Sequence, residues 1–176
     1  MKKIILSIIL FVSTYTISLG HIDHYKNYNY LEYELFRNNK LIGYHKYNFI
    51  KDDKKLSVIS KVEFKITKLN IDLYKYFAES KETYENGKFI NFESKTNQNK
   101  KDKYVNISLD KKKNSLLIDG SSYKGPTNIE NIIGTWWNHE IVKAKAQISA
   151  ISGRVIEQTV TFVGKEDLII NGKTYK

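Results

Sequence analysis

Cysteine is absent from this chain of 176 residues, proline occurs once, and no apolar run reaches membrane-spanning length. Without cysteine there is no disulfide framework, so stability has to come from packing and backbone pairing. The same absence removes a thiol nucleophile and an acylated cysteine as a membrane anchor. There is no internal repeat and no Pro/Ser-rich linker to divide the chain. Also missing are a G-x-S-x-G elbow, an H-E-x-x-H pair, a P-loop and a G-x-G-x-x-G turn, which takes weight from most hydrolase readings and from every nucleotide-dependent one. Glu79, Glu82 and Glu85 lie on one strand with their facing undetermined, so they do not make a glycosidase-type pair.

What is present begins with an address. Lys2 and Lys3 precede the apolar run Ile4 to Val12, broken only by Ser7, and Ser18-Leu19-Gly20 has the small-x-small pattern that signal peptidase cuts after. A spanning helix needs ~20 mostly apolar residues, whereas Ser13, Thr14, Thr16 and Ser18 interrupt this one. The expectation is a signal peptide over residues 1–20, cleaved after Gly20, and a periplasmic or secreted protein. Residues 21–30 read as a flexible mature N-terminus and residues 31–176 as a single antiparallel β domain.

Charge is lopsided: 29 Lys and Arg against 19 Asp and Glu, a formal net charge of +10. In an exported protein this points away from nucleic acid and toward an anionic envelope surface. The lysines cluster at turn-like sites such as Lys54-Lys55 and Lys111-Lys112-Lys113 rather than along one helix face, which favours an ordinary solvated surface.

Beyond Tyr30 the chain alternates with period two and pauses at turn signals, the pattern of antiparallel β-structure. Leu56, Val58, Val62, Phe64 and Ile66 share one face of a strand, with Ser57, Lys61, Glu63, Lys65 and Thr67 opposite. Asn86-Gly87 is a hairpin signal, because a type I′ turn needs positive φ at both central positions. Val155 to Val163 reads as another strand. Leu168 to Ile170 meets a second hairpin turn at Asn171-Gly172, whose returning strand is expected to run on past Lys176. One segment breaks the period: Thr127 and Glu130 have capping-box spacing, and Ile129, Ile132, Ile133 and Trp136 follow at helical intervals. A short amphipathic helix is expected at 128–138. The fold class is therefore all-β, mainly antiparallel, as a barrel or curved half-barrel with that helix plugging or lidding one end.

Ile42-Gly43-Tyr44-His45 with Phe49, then Tyr74-Lys75-Tyr76, then Glu82 through Phe89, and Trp137-Asn138 after Gly125-Pro126, occur in an order that resembles an uncharacterised family of exported bacterial proteins with a lipocalin-like barrel. The likeness runs from about Leu35 to Gly172. Where this chain has Tyr84 that family usually has Trp. The resemblance implies the fold and export and lends no activity.

Four constellations are candidates for chemistry. A two-residue turn at Asn38-Asn39 pairs Arg37 with Lys40 and places Glu32 opposite His45. A carboxylate beside the imidazole would raise its pKa and suit acid–base work; the alternative is a structural cross-strand pair. Trp136, Trp137, Asn138 and His139 line the mouth of a ligand site, or else one Trp plugs the interior while the other caps the helix. Tyr44, Tyr47, Tyr74, Tyr76, Tyr84 and Tyr104 recur along strands, as cross-strand pairs or as the wall of a cavity suited to an amphiphile. Cleavage after Gly20 would expose His21, an N-terminal copper ligand if His24, His45 or His139 completed the site, though loose spacing argues against it.

These readings lead to an exported protein that binds an apolar or amphiphilic, lipid-like small molecule in a β-barrel cavity, with Tyr74, Tyr76, Trp136, Trp137 and Asn138 around the ligand and His45 at its polar end. One alternative is a non-enzymatic envelope structural or assembly factor acting through its basic surface. The other is an acid–base enzyme using Glu32 and His45. No cofactor and no nucleic acid are expected.

Overall fold

Alternation builds the strands, and turns that require positive φ separate them. The computed structural model describes Tyr25, residues 27–170 and residues 172–175; the expected signal peptide and its cleavage site lie outside the described residues. Eight strands run consecutively: β1 (Tyr30–Arg37), β2 (Lys40–Asp52), β3 (Lys55–Lys68), β4 (Ile71–Glu85), β5 (Lys88–Gln98), β6 (Lys101–Asp110), β7 (Ser115–Gly120) and β8 (Lys124–Asn128). They form one sheet whose spatial order is the chain order, each strand antiparallel to the next. Asn38-Asn39, Leu69-Asn70, Asn86-Gly87 and Asn99-Lys100 each hold two successive residues at positive φ. This is type I′ geometry, whose twist matches that of the flanking strands and which Asn and Gly adopt most readily. No ladder joins β1 to β8 among the described residues, so the sheet is open at both edges.

A second, smaller layer follows. β9 (Ile132–Ile133) and β11 (Val155–Glu157) flank β10 (Ala146–Ile148), β9 running parallel to it and β11 antiparallel. A 3-10 turn spans His139–Val142. β12 (Leu168–Ile170) and β13 (Lys173–Tyr175) close a separate hairpin with Gly172 at positive φ.

Two expectations fail. The helix at 128–138 is replaced by the end of β8, a turn and β9. The Thr127 hydroxyl accepts from the Asn131 side chain (2.7 Å) rather than capping a helix. The Asn128 carboxamide accepts from the Glu130 backbone N–H (2.9 Å), an Asx turn. Once the turn is made, the β-branched pair Ile132-Ile133 registers with Gln147 and Ile148, and Ile133 is buried while Trp136 is exposed. The strand expected over Val155 to Val163 stops at Glu157. The Gln158 amide turns away and donates to the backbone carbonyls of Ile141 and Ala144 (2.5 and 3.1 Å), so Val160 and Phe162 lie exposed.

Directly paired residues share a face, so the ladders write the packed face as rows. One row reads Phe49, Val58, Glu82, Phe92, Ile107, Ile118 from β2 to β7. The next reads Tyr47, Ser60, Ser80, Ser94, Val105, Gly120, and a third His45, Val62, Ala78, Thr96, Lys103. On β5 to β7, Phe92, Val105, Ile107, Leu116 and Ile118 pack against Ile133 and Ile148 of the small layer. Each such buried side chain contributes roughly 1.5–3 kcal/mol. A second, aromatic cluster joins Tyr47, Phe49, Val58, Tyr84 and Trp137.

Candidate functional site

Small residues in the second and third rows leave the packed face unfilled between the two layers. A cleft of about 1060 Å³ lies there, over Ser60, Val62, Ala78, Ser80, Ser94 and Thr96. The chain from Gly134 to Ile151 and residues of β1 complete its walls. Phe64 forms an aromatic wall with Tyr74 and Tyr76, ring centroids 5.9 and 5.1 Å away. Burial raises the Tyr76 phenol above its ordinary pKa. The Ser94 hydroxyl donates to the Ala150 carbonyl (2.6 Å), tying the floor to the second layer. Thr96 is 3% exposed, and its hydroxyl makes no hydrogen bond of good geometry among the described residues, with the Tyr76 phenol close by.

His45 lines the cleft but does not face Glu32. Leu35 pairs with Gly43 and Phe36 with Leu41, so β2 carries one extra residue, Ile42, at a β-bulge. The slip puts Tyr33 opposite His45 and moves Glu32 opposite Lys46 on the outer face. There Glu32 accepts from Tyr30 and forms an ion pair with Lys46 at 3.3 Å. The bulge explains the Ile42-Gly43 dipeptide: a Cβ on Gly43 would sit 2.0 Å from the Glu63 carbonyl. His45 Nε2 instead hydrogen-bonds the Ser60 hydroxyl at 2.9 Å, and its ring lies 4.2 Å from that of Tyr47. Burial pushes its pKa down to about 4, the reverse of the shift a carboxylate neighbour would give. The imidazole is neutral near pH 7, and the acid–base pair loses its geometry.

The Trp-Trp-Asn-His segment divides its labour. Trp136 borders the cleft and is 88% exposed. Trp137 is buried at the inner end, edge-on to Phe49, Tyr84 and Tyr25. Asn138 does not line the cleft: its carboxamide caps the 3-10 turn by accepting from the Glu140 N–H (3.0 Å) and donates to the Tyr84 hydroxyl (3.4 Å). His139 stacks on Tyr25 at 6.3 Å and reaches the cleft wall. Tyr74 and Tyr76 line the cleft.

Beneath Trp137 lies a buried acid that the sequence left unassigned. Glu82 is 3% exposed and accepts from Tyr84, from the Trp137 indole N–H (3.0 Å) and, more weakly, from the Thr135 hydroxyl (3.5 Å). Burial pushes its pKa up to about 7 against those three donors. Tyr84, itself buried, is raised well above its ordinary value by burial and by Glu82. The network fixes the indole at the cleft floor. Lys75, Lys81 and Glu85 occupy alternate outer positions of β4 and were the signal that Glu82 faces inward, as were Ser80 and Ala78.

Among the described residues, no three His, Asp or Glu side chains gather as a metal-ligand set; His21 lies outside the described residues. No described helix is long and apolar enough to cross a membrane.

A family model described as Domain of unknown function (DUF6134) matches residues 33–176. No curated protein and no solved structure matches the chain.

Proposed function

This chain belongs to the family of the Domain of unknown function (DUF6134), and from that premise we propose that it is an exported, non-enzymatic binding protein for an apolar or amphiphilic small molecule. The observation that carries the reading is the cleft of about 1060 Å³ over the Ser60–Ser80–Ser94 row. Its volume is at the upper end of small-ligand sites, roughly 300–1,000 Å³. Aromatic walls and scattered hydroxyls suit a molecule with an apolar body and a polar head. In this reading the open meander curls as a lipocalin-like half-barrel, Tyr74, Tyr76 and Trp136 flank the entrance, Trp137 forms the floor, and His45 is a neutral polar contact. The signal-like residues 1–20 deliver it to the periplasm or the medium.

Native mass spectrometry of protein purified without detergent tests this. A discrete adduct lost on denaturation, and absent from Ser80→Leu, is expected. A clean apo mass after incubation with an envelope lipid extract would contradict it.

A second reading rests on the outer face. There Lys46, Lys61, Lys65 and Lys75 surround a hollow of about 770 Å³ beside Tyr44 and Phe77. Such a patch would dock the protein on an anionic envelope surface as an assembly factor. Lys46 and Lys75 already pair with Glu32 and Asp72, which weakens the patch. Vesicle binding that disappears at high salt favours this reading; no binding to anionic vesicles at low salt removes it.

A further inference from the structure

Resting on the binding reading above, we infer that the cleft selects an uncharged amphiphile, a long-chain alcohol or acylglycerol type of molecule whose hydroxyl head meets Thr96 and the serine row, and rejects fatty acids, phospholipids and alkylamines.

The chain carries 29 Lys and Arg, yet no Lys or Arg borders the cleft among the described residues. The pleat is the reason. Lys46, Lys61, Lys75, Lys81 and Lys95 alternate with the inward residues of β2 to β5 and therefore point to the outer face. What remains inside is hydroxyl and amide, Ser60, Ser80, Ser94, Thr96 and Gln98, with the imidazoles of His45 and His139 on the walls and His139 stacked on Tyr25. A carboxylate or phosphate seated there would be desolvated without a counter-charge, a cost no neutral donor offsets fully.

An ammonium fares no better. The inward acid of this face, Glu82, is already engaged by Tyr84, Trp137 and Thr135. Glu34 and Glu79 border the cleft from positions that register with the outer face. His45 does not supply charge either, being neutral above pH of about 4.

The second observation is an unmet bond. The Thr96 hydroxyl, 3% exposed, makes no hydrogen bond of good geometry among the described residues, and the Tyr76 phenol beside it is its one close polar neighbour on the cleft wall, near enough to interact. A ligand hydroxyl, both donor and acceptor, satisfies it; a buried unpaired hydroxyl otherwise costs ~1–3 kcal/mol. One cation comes close: Lys103 shares the Thr96 row, and its ammonium donates to the Gln98 side-chain carbonyl (2.8 Å) at the rim.

The deciding experiment titrates the full-length chain at pH 7 with ligands matched in tail: dodecanol, monolauroyl glycerol, laurate and dodecylamine, read by quenching of tryptophan fluorescence and checked by calorimetry. The alcohol and the acylglycerol are expected to bind at least about tenfold more tightly than the two ions. Thr96→Val should weaken the alcohol about five- to tenfold without changing laurate. Lys103→Met should leave the order intact. Laurate binding as tightly as dodecanol overturns the inference, and its loss in Lys103→Met would assign that binding to the rim lysine. Failure of every ligand to bind removes the binding reading itself, and this inference with it.

Discussion

The same strands build both halves of the packed face, yet the halves differ in what they carry inward. Where β5 to β7 meet the small layer, the inward positions hold Phe92, Val105, Ile107, Leu116 and Ile118, and Ile148 closes over them with no exposed surface. Where β3 to β5 run beyond Glu82, the inward positions hold Ser80, Ala78, Ser94 and Thr96, and a cleft stands in place of a core. The backbone is the same on both sides, so side-chain volume alone decides between core and cavity. Between the halves sits the Glu82–Trp137 network, polar enough to be costly and buried enough to be fixed.

Six substitutions break or sharpen this contrast. Trp137→Ala is the most damaging. It removes a buried indole, worth about 3–5 kcal/mol, and takes a donor from Glu82, so urea melts should show the largest loss in the series. Ile148→Ala in the filled half should cost about 2–5 kcal/mol, whereas Phe64→Ala on the cleft wall should cost about 1 kcal/mol. Equal losses at 148 and 64 would dissolve the distinction.

The pH dependence separates the two buried titrating groups. Glu82 has its folded pKa raised from 4.5 to about 7. The folded state therefore binds more protons in that window, and stability falls as pH rises through it. His45 has its folded pKa lowered from 6.5 to about 4, so stability rises with pH between those values. The two slopes oppose each other over pH 4.5–6.5, and wild-type stability should be nearly flat there. Glu82→Gln should unmask a rise with pH, and His45→Gln a fall, each on the order of a few kcal/mol in total. Matched urea midpoints at pH 4.5, 5.5, 6.5 and 7.5 would read this. Parallel profiles for all three proteins would contradict the burial of both groups. The Tyr30 hydrogen bond at Glu32 and the lysine partners of Asp72 and Asp119 hold those exposed carboxylates below their usual range, and so act under this window.

Ser80→Leu should change stability least, by under about 1 kcal/mol, because the added methylenes enter open space rather than a packed core, where they would cost about 1–3 kcal/mol. It should nonetheless abolish ligand adducts. A large destabilisation would mean that the space over Ser80 is already occupied.

Much of this was legible in the alternation. The hairpin at Asn86-Gly87 and the strand Leu56 to Ile66 follow from period two and turn chemistry. Three features were not. The bulge at Ile42 is a one-residue insertion that leaves both flanking patterns intact, so the alternation alone gives a Glu32–His45 register that the ladder does not have. The Ile129–Trp136 spacing fits a helix as well as it fits a turn followed by a two-residue strand; Asn128 decided it locally by drawing the Glu130 N–H to its own side chain. Glu82 was hidden because a buried carboxyl contradicts polarity patterning, and its three donors come from β4 and from a segment more than fifty residues later. The alternation of β4 points Glu82 inward, but nothing periodic shows that donors more than fifty residues away satisfy it there.

The most direct measurement is a crystal structure of the full chain with a terminally brominated dodecanol, phased to locate the bromine. A single anomalous peak above the Ser60–Ser80–Ser94 row, with the alcohol oxygen within hydrogen-bond distance of Thr96, is the predicted result. A bromine found only on the outer lysine face, with the space over the serines filled by the protein's own side chains, would contradict the assignment of this half of the sheet to binding.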